Sequence, residues 1–178
     1  MIIGNNKYRF LKELYGGMIM KQTSLAKWLK FIIVGVGICG LIVFAVVIPL
    51  LGQTMVDKYP EFSYCFWPWL AFIWVAAIPC YITLVLAWKV AVNIGADLSF
   101  SVANARLFKM ISALAAGDAA FFFIGNLVLL FLNMNHPAIV LFTLIVDFAG
   151  IAISVGAAAL SHLIMNAADL QEQSDLTI

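Results

Sequence analysis

Four long stretches without a charged side chain dominate this sequence. They cover residues 31–56, 62–88, 119–146 and 148–168. Each can cross a bilayer, because a transmembrane helix needs about 20 mostly apolar residues to span roughly 30 Å of hydrocarbon. With 65% of the 178 residues hydrophobic and 11% charged, the chain has more apolar side chains than one small soluble core can bury. The sequence therefore predicts an all-α, polytopic membrane protein and excludes an ordinary soluble domain.

The predicted organisation is a four-helix transmembrane domain over residues 28–168, preceded by a basic segment, 1–27, and followed by an acidic tail, 169–178. The four transmembrane helices are expected at residues 31–51, 66–88, 110–132 and 138–163. A compact polar turn separates the last two helices and predicts that they form an antiparallel hairpin. The residues of this turn are Asn133, Asn135, His136 and Pro137.

The start of translation is the subject of a separate hypothesis. Gly16 and Gly17 stand shortly before Met18 and Met20, and two glycine codons can form a ribosome-binding sequence. Translation is therefore expected to start at Met20 or Met18, with residues 1–19 as an untranslated leader. An intact mass of the native protein that includes residue 1 would contradict this.

The distribution of Lys and Arg predicts the orientation of the helices. Six basic residues lie before the first helix, and Lys89, Arg106 and Lys109 lie between the second and third. Between the first and second helices there is only Lys58. By the positive-inside rule, both termini and the central connection face the cytoplasm of a bacterial inner membrane. Removal of residues 1–19 would leave this prediction unchanged.

Gly35, Gly37 and Gly40 match the dinucleotide-binding fingerprint GxGxxG. That motif functions between a strand and a helix of a soluble βαβ unit, whereas here it lies inside a predicted membrane span. Small residues in a transmembrane helix allow a neighbouring helix to approach closely. We therefore interpret these glycines as packing positions and not as a nucleotide site.

Asp118 and Asp147 lie inside the third and fourth predicted helices. Both are about 12–14 Å deep, counted from opposite faces, so the predicted hairpin could bring them together near the midplane. An intramembrane acid is a functional-site hypothesis by default, and a carboxyl pair could relay a proton or bind a cation. The alternative is that hydrogen bonds from Asp147 to Thr143, and from Asp118 towards Asn126, hold the helices together.

Small and polar residues recur at steps of three or four along the fourth helix. This stripe consists of Thr143, Asp147, Gly150, Ser154, Ala158 and His162. It predicts a packing seam against another helix or, alternatively, the wall of a polar cavity. The candidate intramembrane polar cluster accordingly comprises Asp118, Asn126, Thr143, Asp147 and Ser154.

Catalytic and ligand-binding motifs are missing from the sequence. It contains no GxSxG elbow, HExxH or phosphate-binding loop, and no His or Cys residues stand at metal-ligand spacing. The sequence therefore predicts a protein that is not an enzyme and has no cofactor and no metal site.

The connection between the second and third helices and the C-terminal tail offer a candidate surface for a cytoplasmic partner. Ser99 or Ser101 can cap a helix that leads into the third span. The acidic tail would be repelled by anionic lipid and left available to a basic protein, the alternative being a solvated, frayed helix end. The candidate surface comprises Asp97, Ser99, Phe100, Ser101, Asn104, Arg106, Asp169, Glu172 and Asp175.

Three blocks of sequence carry a resemblance to a known family. They are residues 74–88, which include Ile78, Pro79 and Tyr81; residues 97–104; and the ending 170–178. From about Trp28 onward the chain resembles the bacterial membrane proteins grouped as domain of unknown function 2975, although Gln173-Ser174 replaces the Glu-Asn usual in that tail. The resemblance implies a four-helix membrane protein without established enzymatic activity. Because such relatives are often encoded beside a small helix-turn-helix regulator, it also implies a membrane partner for a DNA-binding protein.

Residues and resemblance together predict a non-enzymatic sensor or tether of a cytoplasmic helix-turn-helix regulator. The protein itself is not expected to bind nucleic acid directly, and an oligomer is possible. The alternative is a small transporter or proton-coupled permeation unit that uses Asp118 and Asp147. This alternative favours an oligomer, because four helices barely enclose a pore.

Overall fold

Helices form nearly all of the chain in a computed structural model, which describes the backbone of residues 3–175 and the side chains of residues 22–173. The helices are α1 (Ile3–Ile42), α2 (Ile48–Lys58), α3 (Phe66–Gly95), α4 (Val102–Phe131) and α5 (Pro137–Asp175). A π-helical segment, Val43–Val47, joins α1 to α2, and a 3-10 helix, Pro60–Cys65, precedes α3.

Four helical stretches are long and apolar enough to cross a membrane. They are Gln22–Lys58, Pro60–Gly95, Val102–Phe131 and Pro137–Gln173. The predicted all-α class and the four spans are thereby confirmed. The helices run beyond the predicted spans at charged ends such as Arg106 and Glu172, because Arg and Glu are good helix formers. The hypothesised start at Met18 or Met20 and the Asp175 side chain lie outside the part of the chain whose side chains are described.

The helices pack in chain order as an open row. The first span packs on α3, α3 packs on α4, and α4 packs on α5. Within the described residues, the backbones of α1 and α2 do not approach those of α4 or α5, and the α3 backbone does not approach that of α5; only the Leu86 side chain of α3 reaches a buried cluster that it shares with Ile111 and Ala157. The protein is therefore not a closed four-helix bundle, and its buried residues concentrate in the seams between successive helices.

The seam between α1 and α3 is built on glycines. The Tyr81 hydroxyl donates to the carbonyl of Gly37 at 3.1 Å, and a Cβ at Gly40 would lie 3.2 Å from the same hydroxyl. Gly35, by contrast, has no neighbour within 4 Å among the described side chains. Gly37 and Gly40 are thus packing positions as expected from the sequence, and Gly35 is not.

The basic side chains are unevenly divided between the two ends of the row. Lys30, Lys89, Arg106 and Lys109 lie towards one end, and only Lys58 lies at the other. The Lys30 ammonium lies 5.5 Å from the centre of the Trp88 ring, which places the start of the first span beside the end of α3. We call this end, with the connection 96–101, the basic end. The opposite end carries the 3-10 helix and the turn between α4 and α5.

The predicted hairpin of α4 and α5 has the most extensive seam in the molecule. Residues of α5 face α4 at alternating steps of four and three: Thr143, Asp147, Gly150, Ser154, Ala157, Ser161 and Ile164. The predicted stripe is wrong at its last two positions, because Ala158 and His162 are exposed. Two successive steps of four turn a helix by about 80° away from the seam, whereas a step of three brings it back.

Candidate functional site

Asp118 of α4 and Asp147 of α5 are neighbours across this seam. A Cβ at Gly150, one turn beyond Asp147, would lie 3.2 Å from the Cβ of Ala119. Asp147 also lines a cavity together with Ala116, Ala119 and Ala120, which flank Asp118 in α4. The antiparallel hairpin therefore brings both acids to one level of the membrane domain.

Hydrogen bonding differs sharply between the two acids. The Cys80 thiol of α3 donates to Oδ2 of Asp118 at 3.4 Å, which links α3 to α4 at this level. The other Asp118 oxygen and both oxygens of Asp147 are buried and have no hydrogen-bond partner among the described residues. The sequence reasoning missed Cys80 as a partner, since a lone cysteine in an apolar span resembles any small hydrophobic residue.

The hydrogen bonds expected to hold these acids are wrong. Thr143 donates instead to the carbonyl of Val140 at 2.8 Å, one turn back in its own helix. Asn126 donates to the carbonyl of Phe122 at 2.9 Å and accepts from Asn135 at 2.9 Å. Asn126 lies two turns, or about 12 Å, along α4 from Asp118, too far for the pairing.

Serines, and not the acids, cross-link α4 and α5. The Ser154 hydroxyl donates to the carbonyl of Ser112 at 2.9 Å, and Ser161 donates to the carbonyl of Ala105 at 2.7 Å. Of the five members of the predicted polar cluster, Ser154, Thr143 and Asn126 thus make separate hydrogen bonds that do not involve the acids. Only the two aspartates remain as a candidate functional pair.

A cavity of about 400 Å³ lies beside Asp147. Its lining residues are Ala116, Ala119, Ala120, Phe123, Leu144, Asp147, Phe148, Ile151 and Ser154. Asp147 is only 6% exposed, yet Phe148 and Ile151 are exposed, so the cavity opens to the surroundings of the row. The cavity walls are therefore mainly apolar, and the carboxyl oxygens of Asp147 lie buried beside them.

A larger cavity of about 510 Å³ lies at the opposite end, between α2, α3 and the turn that leads into α5. Most of its lining side chains are apolar, and two of the polar ones are engaged within the turn: Asn135 donates to Asn126, and Nδ1 of His136 accepts from the amide of Ala138 at 3.2 Å. This cavity therefore presents mainly apolar surface.

The connection 96–101 at the basic end is held by hydrogen bonds at the end of α3 and the start of α4. Asp97 has a positive φ of 64°, and the amide of Leu98 donates to the carbonyl of Asn93 at 2.9 Å, which ends α3 in a Schellman-type turn. Ser101 caps α4 by accepting from the amide of Asn104 at 3.3 Å, as one of the two serines was expected to do.

Asn104 is corrected from a surface residue to a buried one. Its side-chain amide donates to the carbonyls of Leu98 and Ser99 at 3.0 and 3.1 Å, and its Oδ1 accepts from Asn93 at 2.8 Å. The side chain is fully enclosed because all of its hydrogen-bonding groups face the connection that it ties down.

The other members of the candidate partner surface whose side chains are described lie at or near the surface. Phe100 is 63% exposed; Asp97, Arg106, Asp169 and Glu172 are exposed, and Ser99 and Ser101 are partly buried. Leu98, which the sequence analysis did not include, is 54% exposed beside them. Since Ser161 is level with Ala105, α5 runs about 16 Å beyond the first residue of α4. This extension carries the acidic residues.

No metal-binding constellation is present in the part of the chain whose side chains are described. Within residues 22–173, no group of three or more His, Cys, Asp and Glu side chains could hold a metal ion.

Comparison with known proteins agrees with the resemblance seen in the sequence. Over 160 residues the chain is 27% identical to the "Uncharacterized membrane protein YoaS" of Bacillus subtilis (strain 168), a match that covers 89% of this chain and 99% of that protein. No solved structure matches the chain. The family model described as "Protein of unknown function (DUF2975)" matches residues 50–178, and the chain therefore belongs to the DUF2975 family of membrane proteins.

Proposed function

We propose that this protein is a non-enzymatic membrane partner, a sensor or tether, of a small cytoplasmic helix-turn-helix regulator. The observation that carries the proposal is the hydrogen-bonded connection 96–101, which exposes Leu98 and Phe100 at the basic end. Exposed aromatic anchors dominate many protein interfaces. A surface held in place before binding loses less conformational entropy when a partner docks.

The acidic end of α5 adds negative charge beside this surface, which would complement a basic partner. Asp169 and Glu172 are exposed on a helix that projects beyond the start of α4. A DNA-binding regulator carries a basic surface that attracts acids and loses this attraction as salt rises. Docking on the acidic extension would therefore compete with DNA for the same basic face of the regulator.

The proposal requires that the basic end face the cytoplasm of a bacterial inner membrane, with both termini inside. The position of Lys30 beside Trp88, at the end that also carries Arg106, supports this orientation by the positive-inside rule. In a variant without Cys39, Cys65 and Cys80, single cysteines can be placed at either end of the row. We expect a membrane-impermeant maleimide added to intact cells to label Met134→Cys but not Phe100→Cys, and the reverse pattern would contradict the orientation.

Recovery of the regulator by the protein in lipid nanodiscs tests the docking. The bait is the intact protein, and the prey is the helix-turn-helix regulator encoded beside it. We expect Leu98→Ser with Phe100→Ser to lower recovery at least about tenfold, because both apolar anchors are lost. Phe131→Ser is the matched control, since Phe131 is also exposed but lies at the opposite end.

The acidic residues need a separate variant. Asp169→Asn with Glu172→Gln is expected to lower recovery most at low salt, where charge attraction is least screened. Equal recovery by the loop variant and the intact protein would remove the connection 96–101 from the proposal. Equal recovery by the acidic variant at every salt concentration would remove the tail alone.

A second candidate function, a small transporter or proton-coupled permeation unit, is favoured by the neighbouring Asp118 and Asp147, whose carboxyl groups have buried oxygens without a hydrogen-bond partner among the described residues. Because the row is open, a pathway would need further copies of the chain. This candidate predicts pH-dependent flux into liposomes that is lost in Asp118→Asn and Asp147→Asn, while recovery of the regulator stays unchanged. No flux by the wild-type protein would dismiss it.

A further inference from the structure

We propose that the seam between α1 and α3 binds one anionic phospholipid at the basic end, with the headgroup phosphate held by Lys30 and Lys89. The proposal goes beyond the docking function and does not rest on it, since a lipid would bind whether or not a regulator is present. It rests on the register of the seam, on cationic groups without a counter-charge, and on the aliphatic surface beside them.

The register of the seam brings Lys30 and Lys89 to one level of the membrane domain. Three side-chain contacts between the first span and α3 recur at steps of seven residues in each helix. They pair Trp74 with Phe44, Tyr81 with Gly37, and Trp88 with Lys30. Seven residues make about two helical turns, so these contacts form one antiparallel seam. Lys30 is part of this seam, and Lys89 follows directly after its partner Trp88.

The cationic groups at this level lack a counter-charge. Lys30 is partly buried with its ammonium 5.5 Å from the centre of the Trp88 ring, and Lys27 lies one turn earlier in α1. None of Lys27, Lys30 and Lys89 makes a salt bridge or a hydrogen bond with a described residue. The indole N–H of Trp88 likewise has no acceptor there. Several donors at one level are therefore available to an anion.

The acids of the chain are not placed to neutralise these lysines. Asp169 and Glu172 belong to α5, whose backbone does not approach α1 or α3. Asp97 is exposed and lies about two turns beyond Lys89, after the end of α3. An anion that accepts from both Lys30 and Lys89 would offset their mutual repulsion. A phosphate suits this role, because its oxygens accept strong charge-assisted hydrogen bonds from lysine.

Aliphatic side chains beside the seam favour a lipid over a soluble phosphate. The exposed ones concerned are Val34 and Leu41 in α1 and Ile78 and Val85 in α3. Each lies four residues after a member of the three contacts, a position that falls on the same side of the seam in both antiparallel helices. Lys89, one residue after Trp88, is turned to this side as well. Acyl chains would lie along this surface while the headgroup meets the lysines, as basic sites between transmembrane helices bind anionic lipids.

Native mass spectrometry of the full-length protein in detergent tests the site by titration with dioleoyl phosphatidylglycerol. Dioleoyl phosphatidylcholine has the same chains and a phosphate, but its choline cancels the negative charge. We expect the first phosphatidylglycerol to bind at least about tenfold more tightly than the first phosphatidylcholine. Lys30→Gln with Lys89→Gln should abolish this preference, whereas Lys30→Arg with Lys89→Arg should retain it because the charges remain.

Lys109→Gln is the matched control, because Lys109 is an exposed lysine of the same end but lies in α4. It should change the affinity for phosphatidylglycerol by less than about twofold. Glycerol 1-phosphate has the phosphate without the chains and should not displace the lipid. Thermal unfolding of each variant shows that it is folded.

Three results would overturn the proposal. They are a wild-type protein without preference for phosphatidylglycerol, a folded Lys30→Gln, Lys89→Gln variant that keeps the preference, and an equal loss in Lys109→Gln, which would indicate attraction spread over the whole basic end. Displacement of the lipid by glycerol 1-phosphate would overturn the choice of a lipid over a soluble phosphate.

Discussion

The indole nitrogen of Trp74 donates a hydrogen bond to the carbonyl of Phe44 at 3.0 Å. That carbonyl lies in the π-helical segment, where the amide of Ile48 bonds to the carbonyl of Val43, five residues back. In the same register the partner of Phe44 would be the nitrogen of Pro49, which carries no hydrogen. Trp74 of α3 therefore supplies the donor that the first span lacks.

Trp74→Phe is expected to lower the free energy of unfolding by about 1–2 kcal/mol. The substitution keeps an aromatic ring but leaves the Phe44 carbonyl without its donor. Equilibrium unfolding in detergent micelles, followed by circular dichroism, measures the change. Trp67→Phe is the matched control, because Trp67 is 68% exposed and its loss should cost less than about 0.5 kcal/mol.

Pro49→Ala tests whether the proline is the cause of this pairing. With an N–H restored at position 49, the first span can supply its own donor, so Trp74→Phe should cost less in this background. A double-mutant cycle measures the coupling between the two positions. A cost of Trp74→Phe that is the same in both backgrounds would contradict the explanation.

Gly125 and Gly117, both in α4, are expected to respond to alanine in opposite directions. A Cβ at Gly125 would overlap the ring of Phe72, whereas nothing described lies within 4 Å of one at Gly117. The Phe72 ring is also stacked on Phe122 at 5.4 Å, which limits its movement. Gly125→Ala should therefore lower the free energy of unfolding by about 1–3 kcal/mol. Gly117→Ala should raise it by up to about 1 kcal/mol through helix propensity, and equal effects would contradict the packing.

Asn104→Leu is expected to cost about 2–3 kcal/mol of stability. The change preserves bulk but leaves the Asn93 amide and two carbonyls of the connection 96–101 without their partner. Hydrogen exchange should accelerate at Leu98, whose amide closes the Schellman-type turn. The exposed Asn166 gives the control Asn166→Leu, which should change neither quantity. Unchanged exchange in Asn104→Leu would show that the connection keeps its shape without this side chain.

The spans and the hairpin could be predicted from sequence because their causes are local. The length of each segment without charged residues determines whether it can span the bilayer. The short polar turn before Pro137 makes α4 and α5 antiparallel neighbours. The order of packing has no such local signal. The α1 backbone approaches α3 but not α4 or α5. This choice of neighbour depends on the shapes of whole helix faces, such as the one on which Tyr81 meets Gly37.

The sequence predicted which two acids form the candidate site, but not which groups form hydrogen bonds with them. Helix rise placed Asp118 and Asp147 at one depth, and the hairpin made them neighbours. The donor to Asp118 is Cys80, from a helix 38 residues earlier, and no periodic pattern in either helix encodes that pairing. The same limit applies to Asn104, whose polarity indicated a surface although its partners lie in the connection that it closes.

The register of the α4–α5 seam predicts that bulky substitutions at two adjacent alanines of α5 have different effects on stability. Ala157 is buried and packs in the cluster with Leu86 and Ile111, whereas the adjacent Ala158 is exposed. Ala157→Phe should therefore lower the free energy of unfolding by about 1–3 kcal/mol through overpacking, while Ala158→Phe should change it by less than about 0.5 kcal/mol. The two variants have the same composition and differ only in the face of α5 that carries the ring. If Ala158→Phe proved the more damaging, the stripe that includes His162, and not the alternating steps of four and three, would be the true seam.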